Sequence, residues 1–79
     1  MRKKLSAAAV AFGGVLRDLR LRKGLSQQSL ASVVGVDARS ISAMESGSRE
    51  PTLVLLFKLA EALDVETSTL LQRMERKLQ

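Results

Sequence analysis

The sequence predicts an all-α fold of five short helices in one domain, and three observations carry that prediction. Apolar residues recur at helical spacing along successive segments. Glycine, proline and short polar residues fall between those segments at Gly24, Ser26, Gly35, Asp37, Gly47, Pro51 and Thr52, where helices would end and begin. A chain of 79 residues suits one small domain, near the lower size at which enough surface is buried to fold unaided.

Residues 1–10, MRKKLSAAAV, read as a basic arm ahead of a domain over 11–79. Their basic start and apolar continuation imitate a secretory signal. The imitation fails because the apolar run 7–16 is interrupted by Gly13-Gly14 and poor in leucine. No run approaches the ~20 apolar residues of a membrane span. The spacing of Phe12, Val15, Leu16 and Leu19 predicts a first helix over 12–23 with one core face. Gly13-Gly14 weakens its first turn, so the ordered helix is expected to begin near there. Gly24 stops it, with Arg22 and Lys23 at its electronegative end.

The stretch 27–46, QQSLASVVGVDARSISAMES, reads as two short helices about a tight turn at Gly35. Ser26 is placed to cap the first helix, whose core face carries Leu30, Ala31 and Val34. Gly35 breaks it, since glycine takes a left-handed backbone without a Cβ penalty. Asp37 can accept from the free amides that open the next helix. That helix sets Ile41, Met44 and Glu45 on one side and Arg39, Ser42, Ala43 and Ser46 on the other. Ala31 and Gly35 are small enough for close helix crossing. The pattern is that of a helix-turn-helix, whose second helix is offered to a DNA major groove.

After the glycine-bearing loop 46–49, Pro51 holds the chain extended and Thr52 caps a fourth helix over 53–63. A fifth helix over 68–78 carries Leu70, Leu71, Met74 and Leu78 as one stripe, opposite Arg73, Arg76 and Lys77.

Composition narrows the chemistry. The chain has no cysteine and no histidine, so disulfides, thiolate or imidazole metal sites and Ser-His or Cys-His catalytic pairs are excluded. No paired-carboxylate constellation stands in for them; no enzyme activity, metal or cofactor is expected. Phe12 and Phe57, the only aromatics, form no base-stacking platform for single strands. The net charge of +5 is concentrated in residues 1–23, where seven basic groups face Asp18 alone. Such an excess favours polyanions, whose phosphates supply most sequence-independent affinity.

Residues 12–71 resemble the lambda-repressor-like helix-turn-helix family, of the Cro/repressor or XRE type. The resemblance rests on Gln27, Ala31, Gly35-Val36, Ile41-Ser42, Glu45, Gly47, Pro51, Leu53, Ala60-Glu61-Ala62-Leu63 and Leu70-Leu71, in register without a gap. It implies a compact five-helix domain that binds double-stranded DNA sequence-specifically as a transcriptional regulator of repressor or controller type. A homodimer would place two recognition helices in successive major grooves, about 34 Å apart. Ala38, Arg39, Ser42 and Ala43 would face base edges, with Arg39 the long donor suited to guanine O6 and N7. Gln27, Asp37, Ser46, Ser48 and Arg49 would lie along the backbone, Asp37 chiefly as the helix cap. Relatives often carry lysine or arginine where Ser48 stands, and Glu50 would oppose phosphate further. Arg20 and Glu45 match a structural ion pair. The resemblance also implies that Leu53, Leu56, Phe57, Leu59, Ala60 and Leu63 are the core residues of the fourth helix, and it leaves Val54 and Leu55 exposed.

Val54 and Leu55, polar in relatives, and Met74 and Leu78 are the candidate dimer or partner surface. Arg2, Lys3 and Lys4 would reach into a minor groove or remain a solvated tail. An antitoxin that holds a toxin, a piece of a larger regulator and a protein-interaction module on the same fold are the alternatives, with a toxin or polymerase as protein partner. The expected setting is the cytoplasm, on the nucleoid, with no membrane partner.

Overall fold

Five helices follow one another in the computed structural model, which describes residues 6–79: α1 Ala7–Arg22, α2 Gln27–Val34, α3 Ala38–Glu45, α4 Leu53–Ala62 and α5 Thr67–Leu78. No strand occurs among the described residues. α1 is the spine: it packs against α3 on one side and α5 on another, while α2 bridges α3 and α4. Leu16, Leu30, Ile41, Met44, Leu59 and Leu70 are fully buried where these helices meet, one or two from each element. Helices of 8 to 16 residues are marginal alone, so this shared apolar centre holds them.

The N-caps are local chemistry. Ser26, Asp37 and Thr52 accept from the amides of Ser29, Ser40 and Leu55, each three residues on. Gly24 and Gly35 take the left-handed conformation that ends α1 and α2. After α4 the same position falls to Asp64, at φ 58°, a residue type that tolerates this region better than most. Its carboxylate is ion-paired with Lys23, tying that turn to the end of α1.

Two expectations require correction. First, α1 begins at Ala7, a turn and a half before the glycine pair, so residues 7–10 belong to the helix and not to a basic arm. Ser6 caps it, accepting from the Ala9 amide at 2.9 Å, and an alanine run supplies strong helix formers. Ala9 and Ala11 are buried. The proposed arm cations Arg2, Lys3 and Lys4 lie outside the described residues. Second, α4 is rotated from its expected register. Leu53 and Phe57, expected in the core, are 69% and 55% exposed, whereas Leu55, expected outside, packs against the core with Leu56. The inward face runs through Leu55, Leu56, Leu59, Ala60 and Leu63. Six apolar residues in the first seven positions left two adjoining stripes, and only the neighbouring helices choose between them.

Candidate nucleic-acid interface

The turn between α2 and α3 closes on one carbonyl. The amides of Gly35 and Val36 both donate to Ala31 O, at 2.9 and 3.0 Å, and Val36 packs against the core. α3 then starts from the Asp37 cap and buries Ser40, Ile41 and Met44. That burial decides its outer face: Arg39, Ser42 and Ser46 are exposed, with Ala38 and Ala43 partly covered. The four residues expected at base edges therefore share the side of α3 that faces away from the core, and Arg39 is the one long side chain among them.

The expected backbone-contact residues divide into two groups. Gln27, half-buried at the start of α2, donates through Nε2 to Glu45 Oε1 at 3.1 Å and keeps a second amide hydrogen for another acceptor. Arg49 folds back from the loop after α3, donating to the buried Ser40 hydroxyl oxygen at 2.7 Å, and so stands near the start of the recognition helix. Ser46 and Ser48 instead turn onto the end of α3, both hydroxyls donating to Ala43 O. A serine hydroxyl has one hydrogen, so either must give up this bond before donating to a phosphate.

Asp37 sits in a charged corner. Hydrogen bonds from Ser40, the amide first and the hydroxyl second, hold its carboxyl below the ordinary value, and Arg39 and Arg49 add to the effect. A depressed folded-state pKa gives stability that is present above the unfolded value and lost as pH falls through the folded one. Asn is an equally good cap without the charge. The melting-temperature difference between Asp37→Asn and the parent is therefore expected to change below the ordinary carboxylate range and to stay flat above it. A difference flat through strong acid would show that this cap gains nothing from its charge.

Beneath the interface Arg20 grips Glu45, Nε to Oε2 at 2.5 Å and Nη2 to Oε1 at 3.0 Å, while Nη1 donates to Leu25 O at 2.9 Å. Both side chains are over nine-tenths buried. The hydrogen bonds that Arg20 donates to the Glu45 carboxylate raise the arginine's pKa above its already high value. The fork joins α1, the turn before α2 and the end of α3. An open cleft above it is lined by Arg17, Gln27, Ser42 and Ser46. Arg17 had no role in the sequence reading, although it precedes Arg20 by one helical turn and so shares its face of α1. Ser40 was missed too: helical spacing does not announce a bond to a residue nine positions on.

Of the candidate partner surface, Val54 and Leu78 are exposed, whereas Leu55 and Met74 are partly covered against the core. No cluster of acidic, histidine or cysteine residues able to hold a metal occurs among the described residues. Nor is any of their helices long and apolar enough to cross a membrane.

A capped helix with a polar outer face, set by a glycine turn on a second helix, defines a helix-turn-helix protein, and the helix-turn-helix family profile matches residues 16–70. The chain belongs to the XRE-type helix-turn-helix family, whose named relatives are transcriptional regulators and control proteins. The control protein C.MunI of a Mycoplasma species is 35% identical over 69 residues, covering 86% of this chain and 93% of that protein. The SPbeta prophage-derived HTH-type regulator YonR of Bacillus subtilis is 39% identical over 61 residues, covering 77% of this chain. The match spans 56% of that regulator's length. Among solved structures, the restriction-modification controller C.AhdI of Aeromonas hydrophila superposes with a TM-score of 0.79 at 46% identity, over 82% of this chain and 98% of its own. The clp gene regulator ClgR of Corynebacterium glutamicum gives 0.86 at 26% identity, over 91% and 94%.

Proposed function

We propose that this protein is a sequence-specific double-stranded DNA-binding transcriptional regulator of controller type, acting as a homodimer through α3. The observation that carries this reading is the outer face of α3, where Arg39 and Ser42 stand exposed on a helix anchored by buried Ile41 and Met44. An α-helix fits the major groove, and an arginine on its exposed face suits a bidentate contact with guanine. Its control-protein and controller relatives support the regulatory role. Exposed Leu53, Val54 and Phe57 on α4, with Leu78 at the end of α5, supply uncovered apolar surface for a second copy.

Selection from a random duplex pool, followed by titration of the winner across protein concentration, tests the whole reading. A palindromic consensus bound cooperatively is the expected result. Weak, steeply salt-dependent binding without a consensus would overturn the homodimeric regulator in favour of a site completed by another protein. Within the selected site, Arg39→Ala is expected to relax base preference at one position at a cost of about 1–3 kcal/mol. Arg49→Ala is expected to weaken all sequences alike and flatten the salt slope by about one unit. If Arg39→Ala behaves as Arg49→Ala does, Arg39 does not read bases.

A further inference from the structure

We propose that Ser40 is a positioning residue, whose buried hydroxyl holds the Arg49 guanidinium at the first turn of α3 ready for the duplex. This rests on the DNA-binding reading above and adds to it a residue with no DNA contact of its own. Ser40 lies on the inward face of α3 with Ile41 and Met44 and is only 7% exposed. Serine is a poorer helix former than alanine, and burying its hydroxyl is costly unless that hydroxyl is bonded. Here charged groups take up both of its capacities. Its oxygen accepts from Arg49 Nη1 at 2.7 Å. Its hydrogen turns to the Asp37 carboxylate, which also accepts from the Ser40 amide at 2.8 Å. The hydroxyl thus bridges the cap that opens α3 and the loop that leaves it.

The loop backbone alone would not bring the guanidinium there. The amides of Ser46, Gly47 and Ser48 close on the carbonyls of Ser42, Met44 and Ala43, at the far end of the helix. Arg49 comes after them, and its side chain runs back along α3 to a residue nine positions earlier. It takes no part in the ion pairs found among the described residues, and the adjacent Glu50 accepts from the Ser6 hydroxyl at 3.5 Å. The bond to Ser40 uses one of the five N–H donors of the guanidinium and leaves four for an acceptor outside the protein. Ordering a long side chain is part of the cost of association, and restraint in the free protein removes that part. A recognition helix meets DNA at its N-terminal end, which is where this restraint places the charge.

The test uses the full chain and a mixed-sequence duplex at about 100 mM salt, below the melting temperature of every variant. Ser40→Ala is expected to weaken binding about three- to tenfold, the cost of ordering one long side chain. In the Arg49→Ala background the same change should cost nothing, a coupling that general loosening of α3 would not produce. Ser40→Cys, close in size but a weak acceptor, should match the alanine variant and replaces it if the smaller side chain unfolds the helix. The salt slope of Ser40→Ala should stay at the parent value, because the arginine's charge remains, whereas Arg49→Ala removes it. An equal loss in both backgrounds, or no loss at all, overturns the proposal while leaving DNA binding standing. So does a gain in affinity, which would mean that the bond holds Arg49 away from the duplex. A parent chain that binds no duplex at low salt overturns the DNA-binding reading and this proposal with it.

Discussion

Glu45→Ala is expected to cost about 3 kcal/mol of folding stability, toward the lower end of the effect of breaking a buried ion pair. A chain of this length holds only about 4–12 kcal/mol in all, so the loss is a large fraction of it. The cost comes from what stays behind. Arg20, over nine-tenths buried, would keep its full charge while losing two of its three hydrogen bonds. The Gln27 amide would lose its acceptor as well, freeing the first residue of α2 beside the recognition helix. Glu45→Gln keeps an acceptor oxygen and the shape, so its loss should be smaller but measurable. Converting both partners to methionine should recover much of what the single change removes, since a buried pair contributes little beyond an apolar pair of similar volume. Thermal denaturation of these variants, with Arg20→Met and Glu45→Met each alone, closes a double-mutant cycle. Additive single losses would show that the fork is not one unit, and an unchanged melting temperature in Glu45→Gln would remove its structural role.

What was legible before any coordinates were known was the chemistry that acts over three or four residues. Ser26, Asp37 and Thr52 are caps because a short oxygen-bearing side chain precedes a helical period, and all three accept from the amide three residues on. Gly24 and Gly35 end helices for reasons carried by one residue. The faces of α2 and α3 follow from clean amphipathic spacing. The features that escaped depend on partners distant in the chain. α4 is too uniformly apolar to reveal its inward stripe, so nothing local distinguishes the exposed Leu53 and Phe57 from core residues. The Arg49–Ser40 bond and the cleft beside Arg17 exist only once α1, α3 and the following loop are packed. Of the candidate site, the residue types and their helix were readable, while the internal bonds that restrain Ser46, Ser48 and Arg49 were not.

The glycine pair in α1 separates local propensity from packing. Gly13→Ala is expected to destabilise the fold by about 3 kcal/mol, the upper part of the usual overpacking range, and to lower the melting temperature by about 10–20 °C. Gly14→Ala is expected to raise it, by up to about 1 kcal/mol of stability. Helix propensity alone gives both changes the same sign. The surroundings oppose them. A Cβ on Gly13 would come within 2.5 Å of the Met44 and Glu45 carbonyl oxygens, at the end of α3. Backbone cannot rotate aside as a side chain does, so α1 and α3 would have to separate. A Cβ on Gly14 would meet only the outer atoms of Lys77, at 3.4 Å, and that flexible chain can yield. Gly47 shows the same close approach from the other partner: its own Cβ would lie 2.9 Å from Val10 Cγ2. The two glycines let the first half of α1 lie directly on the end of the recognition helix, which is why α1 extends back to Ala7 despite its poor propensity at 13 and 14. Because Glu45 sits at that crossing, Gly13→Ala should also displace the Arg20 fork and weaken duplex binding at temperatures where the variant is still folded. Melting curves decide the matter: equal shifts of the same sign at both positions would mean that α1 and α3 do not cross this closely.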